Sequence, residues 1–535
     1  RDPEMSRGLG DVYKRQGFIF IRGEFMESRK LRTYTPKERN MYLAGMFGQN
    51  MIYNIIATGL VSYYLQYVIY IPVAAIGVIV SVARVWDAIN DPMMGTIVDI
   101  TKSKWGKCRP YLLFAPPIIG LITILCFVNG NYVQADTPLK QGLIIAWAAV
   151  SYILWGMAFT SGDIPLWGIT SLMTEDQNHR SQLLGLARMA AGVGGIGVLV
   201  VQIAQVVSSI FTSKGYDLDT ANKYGWILTV VILTVVSTLL FELAGVGTRE
   251  RVKSSEERRT MKENFKIMWT CKPFRQILIS GVLRSPIQLL MLVAMSFVTY
   301  YYANGDFMNL FKDGINWVML ANIAIIAIGI FAGQFIAMGV TPILSKKFEN
   351  KTIYNALSIG GAVPFFLLII IYFAAKGDLT PIGWVIVAGI LLLFASFAMG
   401  GINVMQSIMI ADCVDYEEYH TGIRPDGIFF SGQSFITKLS GGIAAIIQSV
   451  AYSAVGFSDK NIAVMNEALA NGESFVTYND GKYAMIMFFL ISVPIAIGMF
   501  LSAIPTLKYA LSDKEHTRIL DELVKKRNES ADVEE

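Results

Sequence analysis

The sequence predicts an all-α polytopic membrane protein with about twelve transmembrane helices in two six-helix bundles, and three observations predict it. The first is composition: of 535 residues 53% are hydrophobic and only 16% charged, with a mean hydropathy of +0.47, a balance that a soluble globular chain does not keep. The second is a succession of apolar runs of roughly 20 residues or more, each enough to cross ~30 Å of hydrocarbon. The third is charge placement, because lysines and arginines gather in alternate loops. The formal net charge of +4 is small, so these clusters read as topology signals rather than a nucleic-acid footprint.

The runs fall at 41–69, 73–98, 111–133, 142–172, 183–211, 224–247, 274–302, 316–343, 353–374, 382–411, 427–456 and 481–507. Most are apolar all round, as expected of helices that face lipid on one side and neighbouring helices on the other. The opening "RDPEMSRGLGDVYKRQ" shares no character with the rest, so residues 1–25 read as non-native and Met26 as the native start. The first run is too long for a signal peptide and lacks a small-residue cleavage site, so it stays as the first span. Lys102, Lys104, Lys107 and Arg109 follow span two, Lys346, Lys347 and Lys351 follow span eight, and the link 248–273 is richer still. These loops and both tails are expected in the cytoplasm of a cell-membrane protein. The polar link "GTRERVKSSEERRTMKENFK" divides the chain. The expected parts are a tail at 1–40, a bundle at 41–247, a linker at 248–273, a bundle at 274–507 and a tail at 508–535. A weak repeat, "GTIVDITKSKWGKCRP" echoed by "GVTPILSKKFENKT", supports the halving, and two such halves around a midplane cleft are a transporter architecture. Cys108, Cys126, Cys271 and Cys413 have no ligand spacing, which argues against both disulfides and a zinc site.

Ionisable residues inside apolar runs are the functional candidates. In "VARVWDAINDPMMG", Arg84, Asp87 and Asp91 share one helix face with Asn90 beside them. Two carboxylates and an amide oxygen suit a small hard cation, sodium or a proton, whose presence would be tied to conformation. The bland alternative is a structural ion pair in which Arg84 neutralises one aspartate. In "FTSGDIPLWGIT", Thr160, Asp163 and Trp167 also share a face, and Pro165 is expected to loosen the helix and free carbonyls. A carboxylate beside an indole suits a sugar, whose C–H face stacks while its hydroxyls bond, although Trp167 alone reads equally well as packing. Arg188 lies early in span five, where snorkelling is the alternative. Lys438, mid-span, is expected to face a central cavity, bonding substrate hydroxyls or balancing Asp163. Arg180 and the stretch "ADCVDYEEYHTGIRPDG" lie at membrane edges, where charged pairs across two bundles would close a gate; solvated loop charges are the alternative.

"RVWDAINDPMMGTIVDITKSKWGKCRP", "DIPLW" and "MIADCVDYEEYHTGIRPDGIFFSGQSFITKL" resemble the signature segments of the glycoside-pentoside-hexuronide:cation symporters, the melibiose permease branch of the major facilitator superfamily. The likeness spans both halves and implies the major facilitator fold. By resemblance, Asp87, Asn90, Asp91 and Thr160 would be sodium ligands, with Asp163 close to both ion and sugar. Trp167, Arg188, Gln433, Ser434 and Lys438 match sugar-site positions, and Arg180, Asp412, Asp415 and Arg424 match an inner, cytoplasmic gate. The chain departs from melibiose permease on the first span, where "GQNMIYN" has Gln49 and Asn50 in place of a lysine and a galactosyl-binding aspartate, and at Asn403, in place of a tryptophan. The resemblance therefore keeps the ion site and alters the sugar site, with Asn50 counted among the substrate-binding candidates.

The expected function is secondary active symport of a small glycoside, pentoside or hexuronide with sodium or a proton, by alternating access. Sodium-coupled lysophospholipid symport is the rival of the same fold, and a passive channel or sensor the rival of another class. No GxxxxGK[ST] loop supports ATP-driven pumping, and His179, His420 and His516 lack ligand or triad spacing, so no enzyme and no cofactor beyond the coupling ion is expected. The expected partners are a sugar or glycoside, the cation and the lipid bilayer, with no nucleic acid.

Overall fold

The computed structural model describes residues 31–534 except 70, 129–136, 253–260, 306–314 and 458. The expected leader at 1–25 and the start at Met26 lie outside the described residues, as does the middle of the linker. The first half comprises helices α1 (Pro36–Asn54), α2 (Val73–Ile100), α3 (Arg109–Phe127), α4 (Pro138–Leu172), α5 (Gln177–Gly194), α6 (Val200–Ser213) and α7 (Leu218–Gly247). After α8 (Met261–Thr270), the second half runs through α9 (Lys272–Leu283), α10 (Leu289–Ser296), α11 (Trp317–Leu344), α12 (Asn350–Ala374), α13 (Ile382–Thr421), α14 (Asp426–Ala454), α15 (Asp459–Ala470), α16 (Lys482–Leu490) and α17 (Val493–Leu507). A last helix, α18 (Asp513–Glu534), follows.

Local chemistry sets the helix starts. Thr35 and Glu38 form a capping box ahead of α1, with Pro36 in its first turn. Asp176 accepts from the His179 amide at the start of α5 (3.0 Å). Glu250 accepts from the amides of Lys107, Cys108 and Arg109 (2.9, 2.8 and 3.0 Å), placing an acid on the positive end of α3. The beginning of the linker is therefore laced to the first half; Arg251 adds an ion pair to Glu38 (2.7 Å).

Each of the twelve apolar runs lies on helices over most of its described residues. Among the described residues nine helices are long and apolar enough to cross a membrane, or ten if the bent pair Lys272–Leu283 and Ser285–Ala294 counts as one span. The run 41–69 is a continuous helix, α1 passing into a wider π-helical stretch over Ile55–Val68. The run 73–98 lies within α2, which carries Arg84, Asp87 and Asp91 along its length. The helix α4 continues through Pro165, which has no N–H to give the carbonyl one turn back. The tenth run extends through the acidic stretch to Thr421 as the 40-residue α13, ending at Gly422 with φ +73°. The C-terminal tail is helical over α18.

Helices of each half pack mainly on one another, and the halves meet where α2 crosses α14 and α5 crosses α11. Glycines bring the backbones together there. A Cβ on Gly95 would lie 2.7 Å from the Gly427 oxygen, and one on Gly185 would lie 2.5 Å from the Pro342 ring. Both crossings lie toward the end that carries the basic loops, so that end is shut.

Candidate ion and substrate site

The helical period of α2 stacks Asp87 and Asp91 one turn apart, facing α14 and α4. The Lys438 ammonium of α14 stands on both carboxylates, 2.7 Å from Asp91 Oδ1 and 3.3 Å from Asp87 Oδ2. Thr160 of α4 donates to the same Asp91 oxygen (3.1 Å). Asp91 is fully buried and Asn90 nearly so; among the described residues Asp91 Oδ2 and the Asn90 amide nitrogen have no hydrogen-bond partner. Such orphaned groups at membrane depth are costly, and a small cation would satisfy the carboxylate oxygen. Lys438, expected to balance Asp163 or to bond substrate, is instead committed to the α2 carboxylates in this conformation. Arg84 forms no ion pair with either aspartate among the described residues. It lines a cavity of ≈ 100 Å³ beside Asp87 and Lys438, walled by Tyr53, Tyr152, Trp155 and Phe159. Among the described residues no cluster of three or more His, Cys, Asp or Glu side chains offers a metal site.

One turn along α4, Asp163 accepts from Gln49 Nε2 (2.9 Å), and Asn50 donates to Gln49 Oε1 (2.6 Å). The two positions where the first span departs from melibiose permease thus form one amide relay ending on Asp163. Arg188 of α5 lays its guanidinium over the Trp167 ring at 4.2 Å and donates to Ser407 Oγ (2.7 Å), which donates to Gln433 Oε1 (2.9 Å). This links α4, α5, α13 and α14, so Trp167 is used for stacking and Arg188 does not snorkel outwards. Ser434 is half-buried next to Gln433. Ser407, which closes the relay, does not stand out in the sequence. A mid-helix serine carries no pattern of its own.

A family model described as MFS/sugar transport protein matches residues 41–513. The chain belongs to this family. Among its relatives is the isoprimeverose transporter of Lactiplantibacillus pentosus, 25% identical over 491 residues that cover 91% of each chain. Another is the lactose permease of Lactobacillus delbrueckii subsp. bulgaricus, 22% identical over 91% of this chain and 72% of the permease. The fold is that of the proton:xylose symporter XylE, with a TM-score of 0.54 at 15% identity, covering 89% of this chain and 96% of that one. The resemblance read from the motifs and the helical fold are thereby met. The protein is a multi-pass membrane transporter and not an enzyme.

The basic-loop end of the transporter is closed by a buried ion network. Asp415 accepts Arg180 (2.6 Å) from the first half and Arg424 (2.8 Å) from its own half. Arg424 also pairs with Glu418 and Asp426 and donates to the Ser171 carbonyl of α4 (3.1 Å). Lys107 bonds Asp426 (2.7 Å) and Asp99 (3.1 Å), and Asp99 accepts the amides of Gly427 and Ile428 at the start of α14 (2.7 and 2.8 Å). Three of the four gate candidates, Arg180, Asp415 and Arg424, come together. Among the described residues Asp412 forms no ion pair with an arginine; it accepts from Asn350 (3.0 Å) and faces His516 at 3.6 Å. His516, which reads in sequence as a scattered tail histidine, is buried on α18. It touches Asp415 (3.2 Å) and, across the halves, Gln177 (3.0 Å). Burial opposes its charge, but the facing acids outweigh that and raise its pKa above the ordinary histidine value.

Proposed function

We propose that this transporter carries a small glycoside, pentoside or hexuronide inward together with sodium or a proton, by alternating access. The observation that carries the reading is the triplet of Asp87, Asp91 and Lys438: two carboxylates and one ammonium, net −1, at the contact between α2 and α14. A monovalent cation neutralises that charge. It would sit on the Asp87 and Asp91 oxygens with Asn90 and Thr160, and its arrival would release Lys438 from α2. Because the lysine belongs to the opposite half, ion occupancy alters the contact between the halves, which is what coupling requires. Residues 41–247 and 274–507 act as the two moving units joined by 248–273, and the gate network holds the cytoplasmic end closed in the conformation described, with both termini on that side.

Asn50, Asp163, Trp167, Arg188, Gln433, Ser434 and, once released, Lys438 are the substrate-facing set. Their hydrogen-bonding walls favour a polyhydroxylated ligand over a lysophospholipid, whose chains would need an apolar, lipid-open slot. The names of the relatives, an isoprimeverose transporter and a lactose permease, point the same way. The test is accumulation of labelled pentosides, glucosides and glucuronides in proteoliposomes under an inward sodium or proton gradient, with Asp87→Asn alongside. Gradient-dependent accumulation that the substitution abolishes is expected. Accumulation of lysophospholipid alone would keep the ion site and refute the glycoside.

A further inference from the structure

Arg284 lies at the 49° break between α9 and α10, where irregular backbone at membrane depth is tolerated only against protein or a cavity. Its side chain is 5% exposed. Among the described residues its hydrogen-bond partners are neutral: it donates to Gln406 Oε1 and to the Tyr354 hydroxyl (3.2 Å), itself bonded to Ser280 (2.7 Å). Among the described residues it forms no ion pair, and neither does Arg188. The two arginines come from opposite halves, donate to consecutive residues of α13, Gln406 and Ser407, and stand near enough for their charges to repel. Lys438 being committed to Asp87 and Asp91, the sugar side holds two guanidinium charges against one carboxylate, Asp163, which Gln49 already engages. A buried arginine is kept only where something compensates its charge. Guanidinium forks match planar or tetrahedral oxyanions.

Resting on the symport reading above, we propose that Arg284 with Arg188 selects glycosides bearing an anionic substituent, a carboxylate or sulfonate, and that Arg284 is the specificity-determining member of the pair. The substrate's anion supplies the charge the protein lacks there, and co-entry with a monovalent cation leaves the loaded centre no more charged than before.

The experiment is competition for uptake in proteoliposomes between methyl β-D-glucuronide and methyl β-D-glucoside, in wild type, Arg284→Gln and Arg284→Lys. The acid is expected to compete at least tenfold better in wild type. Arg284→Gln is expected to weaken the acid by roughly ten- to a hundredfold more than it weakens the neutral glycoside. Arg284→Lys, which keeps the charge but not the fork, should fall between wild type and Arg284→Gln in its preference and guards against a folding defect. Wild type that takes both sugars equally, or Arg284→Gln that weakens both by the same factor, overturns the selectivity while symport stands. Failure to accumulate any glycoside overturns this inference and the symport reading together.

Discussion

Replacing Arg424 by glutamine should spring the gate. Arg424 is 1% exposed, pairs with Asp415, Glu418 and Asp426 inside its own half and reaches across to the Ser171 carbonyl of the first half, so the network it neutralises is shut away from water only while the two halves are together at that end. Removing one partner from a buried ion network costs about 3–5 kcal/mol, because the remaining charges are left in low dielectric. Asp415 keeps Arg180 and Asp426 keeps Lys107, which places the expected cost near the low end, ~3 kcal/mol. When the gate opens, water solvates the same carboxylates, so the penalty falls on the closed state alone. At ~1.4 kcal/mol per tenfold, the open population should rise roughly a hundredfold. The assay is already in the chain: Cys108 adjoins Lys107 and is fully buried. With Cys126, Cys271 and Cys413 replaced by serine, the labelling rate of Cys108 by a maleimide tracks the open population when opening is fast and reversible. A rate in Arg424→Gln within about threefold of the parent would refute the argument that this network closes the gate.

Other expectations follow from the same geometry. Thr160→Ala removes a neutral oxygen from Asp91 and should weaken cation affinity by roughly tenfold, read as a rightward shift in the ion dependence of uptake. Lys438→Ala leaves Asp87 and Asp91 without their resident cation. Its melting temperature should rise with sodium, or fall with pH, more steeply than that of wild type, and equal slopes would speak against lysine–ion exchange. His516 faces Asp412 and Asp415 on α13, Arg180 and Gln177 on α5 and, on its own helix, Asp513, whose carboxyl burial pushes up to about 6. With the histidine pKa raised in the docked state, its stabilisation of the gate is full below the ordinary value and is lost as pH climbs through the raised one. Cys108 labelling should therefore quicken as pH rises from about 6 to 8. That dependence should be flattened in His516→Gln, and an identical profile in both proteins would exclude the histidine.

Periodicity carries within a helix and stops at its edge, and the candidate site shows where. The stripe of Asp87 and Asp91 follows from 3.6 residues per turn, and their convergence on one cation is what that stripe prefigures. That the cation in this conformation is Lys438, some 350 residues away, depends on how α2 crosses α14, and no spacing encodes that. Sequence alone set the lysine against Asp163 for the same reason. Arg180 and the charged stretch holding Asp415 and Arg424 were legible as charges at a membrane edge, and the individual gate residues through the resemblance of their motif. Lys107 was visible only as a topology signal, since a basic loop looks the same whether its lysine is solvated or, as here, seated between Asp99 and Asp426. His516 went unread because α18 carries no membrane pattern; its docking rests on Leu511, Ile519 and Leu523 packing against Tyr416 and Tyr419. Arg284 was hidden inside an apolar run, where a single cation barely alters hydropathy but, once buried, dominates the local electrostatics.

The central claim is that ion and glycoside move as one thermodynamic unit, and linkage makes it testable in reverse. Proteoliposomes loaded with no ion gradient and given an inward gradient of a transported glycoside should take up labelled sodium, or acidify inside, in step with the sugar, and Asp91→Asn should abolish that ion movement. Glycoside running down its gradient with no accompanying sodium or proton flux in the wild-type protein would contradict the account.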